Sequence, residues 1–316
     1  MRSEERRNLT LRNFSFSKAM NCVVALLGVA AALPLARGQG GGWGITTEVA
    51  LRNSIATNAN LQLVSSIDLA SEIEIVNKTG LVIDGMGHTL DGQRAVRCFN
   101  ILESEVTVKD LVIANGVLAS SSGAGIYIGN EGSGRPVTLV AVTIRDCVSN
   151  AGGGGAISAN GGSVFFDRLR VVNNSAPSQT SVASGSGGGV YLKTVDLATI
   201  HDSIFAANTA QSLGGAMCVD ASAGGGKVEI KRSSFVNNEV RSGNGGAVFG
   251  KLCDITMDSC AMHRNSCSQY GGGLALYEST ATAEMCNFTE NESGTHGGGA
   301  YFYESLLCLP LQMALT

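Results

Sequence analysis

Proline is scarce in this chain, four residues against 42 glycines in 316, and tryptophan occurs once. Glycine and asparagine, the residues most tolerant of left-handed backbone, must therefore make its turns. Basic residues are scattered, the net charge is −4, and no Lys/Arg stripe offers phosphate contacts, so no nucleic-acid partner is expected. No C-x-x-C pair occurs, which removes the usual zinc site; neither a metal nor a cofactor is expected. Neither L-x-x-L-x-L nor a 3.6-residue apolar period recurs, which excludes horseshoe and helical repeats. The calcium-binding nonapeptide pattern fails as well, because GSGGGVYLK lacks its aspartate. Glycine-rich disorder is the remaining simple reading, and 44% hydrophobic residues at a regular spacing argue against it.

What is present begins with a basic leader. Arg2, Arg6, Arg7, Arg12 and Lys18 precede an apolar run at 23–33, followed by Pro34 and the small-x-small site Ala36-Arg37-Gly38. This layout predicts a secretory signal peptide over residues 1–38. An uncleaved anchor is the alternative, since the leader is long and holds Glu4 and Glu5. The apolar run is well short of the ~20 residues that span a bilayer, so no membrane span is expected after cleavage. A secreted or cell-surface protein follows. Of nine cysteines, Cys22 lies in the leader; the other eight permit disulfides whose connectivity the sequence does not specify. Sequons at Asn77 (NKT), Asn173 (NNS), Asn287 (NFT) and Asn291 (NES) fit glycosylation along a secretory route.

The remainder is a repeat. A short apolar strand, hydrophobe-x-x-Asn, glycines and a second apolar strand recur with Asn115, Asn150, Asn174, Asn208, Asn238, Asn265 and Asn291 as markers. The steps of 35, 24, 34, 30, 27 and 26 residues describe a constant rung with variable loops. Ten residues before the last five markers stand Val164, Ala198, Val228, Ile255 and Ala281, and eight before them Phe166, Ile200, Ile230, Met257 and Ala283. The positions between are mostly polar, the period of a half-buried strand. Three before the marker come Val171, Phe205, Phe235, Met262 and Phe288, an inward stack. In the glycine-led strand the first and third residues, including Ala156/Ser158, Ala216/Cys218 and Ala247/Phe249, read as core. The marker Asn suits either a left-handed turn or a side-chain amide ladder between coils. One coil cannot offset the entropy of ordering itself, so coils must stack at about 4.8 Å. Residues 39–122 read as an N-terminal cap, with a short helix over 46–55, and first coils; 123–305 carry the repeats. Residues 306–316 leave the pattern, as a hydrophobic plug, a removed anchor signal or a truncated, irregular terminus.

The motifs GGGGAI (152–157), GGAM (214–217) and GGAV (245–248), paired with FAAN, FVNN and FTEN, resemble the repeats of the polymorphic outer membrane proteins. CVSN, VVNN and MHRN are degenerate copies, and LVIDGMGHTLDG (81–92) is similar to the early coils of such helices. The resemblance covers roughly residues 45–305. It implies an all-β fold, a single-stranded right-handed parallel β-helix of the pectin-lyase-like class. It also implies a passenger-like secreted or surface-attached helix rather than an outer-membrane transporter, since the family's barrel does not fit in this length.

Members of that class that are enzymes act on acidic polysaccharides, and this chain offers an outward polar column, Asp167, His201, Lys231, Asp258 and Glu284. Asp258 and Glu284 on neighbouring coils would stand about 5 Å apart, a spacing used by retaining glycosidases. The family's enzymatic signatures are missing: RxPxxR, the Asn-Thr-Asp and Asp-Asp motifs, and YG-DPH. The column then reads as a solvated face, and no catalytic residue is assigned. Asp84, His88 and Asp91 read as turn residues rather than a metal site. Tyr127, Tyr191 and Tyr301, with Tyr277 and Tyr303 two positions further on, share one outer face where rings can stack on sugars or a protein. Cys260 and Cys286 occupy one column in adjacent coils, as a disulfide or a reduced ladder. The expected role is adhesion, recognition or matrix and wall architecture without catalysis, with a polysaccharide or a cell-surface or matrix protein as partner. The rival is a lyase, hydrolase or epimerase acting on uronate polymers.

Overall fold

The structure, a computed structural model, describes residues 44–178, 185–222, 224 and 226–308. The expected signal segment and residues 309–316 lie outside the described residues. Strands of two to six residues wind through four parallel sheets in a fixed order. Sheet 1 has ten strands, from Asn60–Gln62 to Leu306–Cys308, and sheet 2 has nine, from Ile67–Asp68 to Asn287–Thr289. Sheet 3 has seven, from Val117–Leu118 to Glu292–Ser293, and sheet 4 nine, from Ile73–Val76 to Ala300–Tyr303. Each strand pairs only with its equivalents one coil before and after, the topology of a parallel β-helix.

The inward columns of sheet 1 are those expected, with Val164, Ala198, Val228, Ile255 and Ala281 in register and buried. In sheet 2, Val171, Phe205, Phe235, Met262 and Phe288 form one vertical stack. The rings of Phe205 and Phe235 lie 4.9 Å apart and 6° from parallel. Corners between sheets are tight because a residue at the corner turns left-handed, as Arg168 (φ 51), Asp202 (50), Arg232 (48) and Ser259 (55) do after sheet 1. Their N–H groups still donate to the next coil, Asp202 to Lys231 O at 3.0 Å and Arg232 to Asp258 O at 2.9 Å, so the ladder holds the strained corner.

The marker asparagines behave as a ladder and not as the left-handed residue. The turn is made one position earlier, by Asn173, Ala207, Asn237, Arg264 and Glu290. That frees Asn174, Asn208, Asn238 and Asn265 to point inward, fully buried. The Oδ1 atoms of Asn208, Asn238 and Asn265 each accept from the backbone N–H and the side-chain amide one coil back, as Asn238 does from Asn208 at 3.0 and 3.0 Å. Each Nδ2 also donates to a backbone carbonyl, Asn238 to Phe205 O at 3.0 Å. The first two markers were misassigned. Ile113, Ile144 and Val171 are in register, so the equivalents of Asn174 are Gly116 and Cys147, not Asn115 and Asn150. Cys147 N–H donates to Asn174 Oδ1 at 3.0 Å and starts the ladder without an amide of its own.

The frame of the glycine-led strand is also corrected by one residue where two or four glycines replace three. Ile126, Ile157, Val190, Met217, Val248 and Leu274 form the inward column. Ala156, Ala216 and Ala247 occupy the slot of a third small residue ahead of it, and Ser158, Cys218 and Phe249 face outward beside Tyr191. Crowding sets the slot. A Cβ on Gly215 would sit 2.3 Å from Gly246 O, and Gly214 has φ +60.

Helix α1, Glu48–Ser54, covers the N-terminal coil and buries Leu51. Thr47 caps it by accepting from Ala50 N–H, and Glu48 accepts from Ala70 N–H at 2.8 Å, tying it to the first coil. At the far end, Leu306–Cys308 still pairs with Thr280–Thr282, three residues beyond the expected limit of the repeat.

Candidate functional site

The polar column on sheet 1 exists as a vertical row, since Asp167, His201, Lys231, Asp258 and Glu284 are successive register partners. Two of its charges are committed to residues beside the column. Asp167 pairs with Arg168 at 2.7 Å, and Lys231 lies 3.8 Å from Glu229. Asp202 takes both guanidinium arms of Arg232 at 2.8 and 2.7 Å, and those hydrogen bonds hold its carboxyl below the usual carboxylate range. Asp258 accepts from the hydroxyl of Ser259 at 2.8 Å, and Glu284 is exposed. His201 Nε2 is shielded from solvent and has no hydrogen-bond partner among the described residues. A pocket of about 400 Å³ lies at the corner between sheets 4 and 1, lined by Glu131, Gly132, Gly134, Gly161, Gly162, Thr194 and Asp196. None of the five column residues lines it.

Asp84 and Asp91 are turn residues, accepting from the N–H groups of Met86 and Gln93 two positions on. Asp84 also pairs with Lys109 at 2.8 Å. Among the described residues no group of three or more His, Cys, Asp or Glu is placed to hold a metal ion.

The tyrosines separate. Tyr127, Tyr191 and Tyr301 do share one outward column of sheet 4, and Tyr277 and Tyr303 pair in the next. Tyr127 lies near the N-terminal coils under the guanidinium of Arg97, which sits 5.3 Å from its ring centre. Tyr191 is only 6% exposed, in a small outer cluster with Cys218, Phe249 and Ala275, and burial pushes its hydroxyl up. The remaining three join residues that sequence reading did not single out as site residues. Tyr270 stacks on Tyr301 at 4.6 Å and on His296 at 5.8 Å. Tyr277 lies 5.4 Å from both Phe249 and Tyr303, and 6.2 Å from Tyr301. These rings form one aromatic terrace across the last coils. Its open edge is Tyr303, 45% exposed. Burial, then the neighbouring tyrosines, pushes the Tyr277 hydroxyl up; Glu304 does so for Tyr303. A signal for the missed pair was available: Tyr270 and His296 each stand directly before a glycine triplet, one repeat position, and are bridged in register.

Cys260 and Cys286 are neighbours and both are free thiols. Cys260 Sγ lies within hydrogen-bond reach of Ile230 O and Asp258 O, and Cys286 Sγ of Glu284 O at 3.1 Å. A hydrogen bond from Cys260 favours the Cys286 thiolate, whose pKa drops to about 7, while the same contact drives the Cys260 thiol far up. Of the sequons, Asn77, Asn173 and Asn287 are exposed. Asn291 instead ends the internal ladder, its amide donating to Met262 O at 2.8 Å.

Coils of four parallel strands, repeated in register around a buried, mostly apolar interior, define a β-solenoid. Residues 70–251 match the family described as right handed beta helix region, more than half of the chain, and the protein belongs to that family. No curated protein and no solved structure matches it. No helix among the described residues is long and apolar enough to cross a membrane.

Proposed function

We propose that this protein is a non-catalytic recognition or adhesion β-helix that works outside the cell, built from repeats of the polymorphic outer membrane protein type on a pectin-lyase-like scaffold. The observation carrying the reading is the terrace of Tyr270, Tyr277, Tyr301, Tyr303 and His296, five rings gathered from separate coils onto one outer face. Aromatic rings of this kind offer large contact area at little entropic cost, with a polar edge for hydrogen bonds. The basic-then-apolar leader and the three exposed sequons support export. The partner is a polysaccharide or a matrix or cell-surface protein.

Screening the secreted protein on immobilised glycans and matrix proteins tests this. Binding weakened at least tenfold by Tyr277→Ala, with folding unchanged, is expected; binding indifferent to Tyr277 and Tyr301 would sink it. The mass of the secreted product should place the N-terminus near residue 39, with glycans at Asn77, Asn173 or Asn287 and none at Asn291. The in-register pair Asp258 and Glu284 keeps a second reading open, an enzyme acting on uronate polymers. Incubation with pectate and alginate, with and without calcium, should yield no unsaturated products. Turnover abolished by Asp258→Ala would establish that second reading.

A further inference from the structure

The charge around the terrace says more about its ligand than the rings do. Residues 251–308 carry two basic residues, Lys251 and Arg264, against seven acidic ones. Arg264 is already tied to Glu290 at 2.6 Å. Lys251 stands one coil before Tyr277 in the same column, so beyond it the rim is acidic only. Glu278 and Glu304 follow Tyr277 and Tyr303 directly, one per coil, both exposed. Neither is ion-paired with a described residue. Two like charges stacked in neighbouring coils repel each other, and no described residue supplies a counter-ion. A uronate polymer would add to that repulsion; a cationic one would relieve it.

The spacing restricts the ligand further. Tyr277 and Tyr303 are 5.4 Å apart, and the carboxylates rise with them by one coil, about 4.8 Å. An extended peptide presents same-face side chains at about 6.6–6.8 Å and drifts out of step with the rings within one coil. A chain of β-1,4-linked pyranose rings advances by close to one coil rise per sugar and turns over at each linkage, so one 2-amino group in two faces the rim. We propose that the terrace binds a linear polymer of protonated amino sugars, a ring lying against the open Tyr303 and the ammonium group on that side held between Glu278 and Glu304. This rests on the recognition reading above and specifies the ligand of that same surface.

Titration calorimetry of the full chain with a glucosamine hexamer, its N-acetylated counterpart, a galacturonate hexamer and a lysine hexapeptide tests it. The glucosamine hexamer should bind about tenfold tighter than the acetylated one at low salt, a factor worth about 1.4 kcal/mol. That advantage should shrink at high salt and vanish in the Glu278→Gln/Glu304→Gln variant, where the charged hexamer should bind no tighter than the acetylated one. Equal affinity for charged and acetylated hexamers, or tighter binding of galacturonate, overturns this inference and leaves the recognition reading standing. A lysine hexapeptide that outcompetes the sugars overturns it in favour of a basic protein partner. No binding of any probe to the folded chain overturns this inference alone; the glycan and matrix-protein screen decides the recognition reading.

Discussion

Asn238 shows how much one residue carries in a solenoid. Its carbonyl oxygen accepts two buried donors from Asn208, and its amide answers Phe205 O and Asn265 Oδ1. Removing it orphans a buried backbone N–H that has no route to water. Asn238→Ala should therefore cost about 2–4 kcal/mol, read as a lowered urea midpoint with the slope unchanged. A loss under 0.5 kcal/mol would mean the ladder is decorative. At Gly215 the constraint is space: a Cβ there would also meet Glu239 N and O at 2.7 Å, all backbone atoms that cannot step aside. Gly215→Ala should lower stability by at least the ~1–3 kcal/mol of an overpacked core, whereas a neutral outcome would contradict the close approach of the two coils. The asparagine spacing was legible from the last five copies. The first two were not, because Gly116 and Cys147 fill the same slot and carry no amide to betray it.

Between neighbouring strands, the column of Ser203, Ser233, Cys260 and Cys286 tests a different coupling. The serine hydroxyls each accept an N–H from the coil before, Leu169 to Ser203 at 3.0 Å and Ser203 to Ser233 at 3.1 Å. The two thiols continue the column but titrate as a pair. Because the Cys286 pKa is lowered to about 7 from 9.0, the folded state gains stability as pH rises from about 7 toward 9. Because the Cys260 pKa is raised, stability is lost again above about 9, where only the unfolded chain ionises that thiol. Thermal unfolding against pH should show a rise between about 7 and 9 that is lost in the Cys260→Ser/Cys286→Ser variant, while the fall above 9 persists there because burial also raises the thiols of Cys98, Cys147, Cys218, Cys253 and Cys267. A rise that survives the double substitution would assign it to other groups. The sequence left bridge and ladder equally open, since column position alone does not say whether sulfur meets sulfur or a carbonyl. At this scale the strand frame after the glycines also had to come from structure. Alanine in the third small slot looks like the first strand residue until the register with Gly189 and Gly273 is seen.

Across the whole molecule, stability is a chain of nearest-neighbour terms, so the ends should open first. Helix α1 protects the N-terminal coil, whereas the last described coil shows Leu306 at 70% exposure and Met285 at 69%. Hydrogen exchange should be slowest for the amides of sheets 1 and 2 between about residues 139 and 236 and fastest for residues 284–308. Uniform protection along the axis would contradict a one-dimensional solenoid. The terrace sits on that less protected end, where ring packing among Tyr270, Tyr277 and Tyr301 holds its shape.

By itself the sequence determined the class of fold. Period-two alternation and an inward Phe/Val/Met column at repeating distances admit no packing except coil over coil. It also placed the charged column, because strand parity decides which side a residue faces. Tertiary structure alone decided the site. Coil-to-coil register brings Tyr270 and His296 beside Tyr301, and packing with Cys218, Phe249 and Ala275 buries Tyr191; neither follows from parity, since each depends on which outward side chains meet in successive coils.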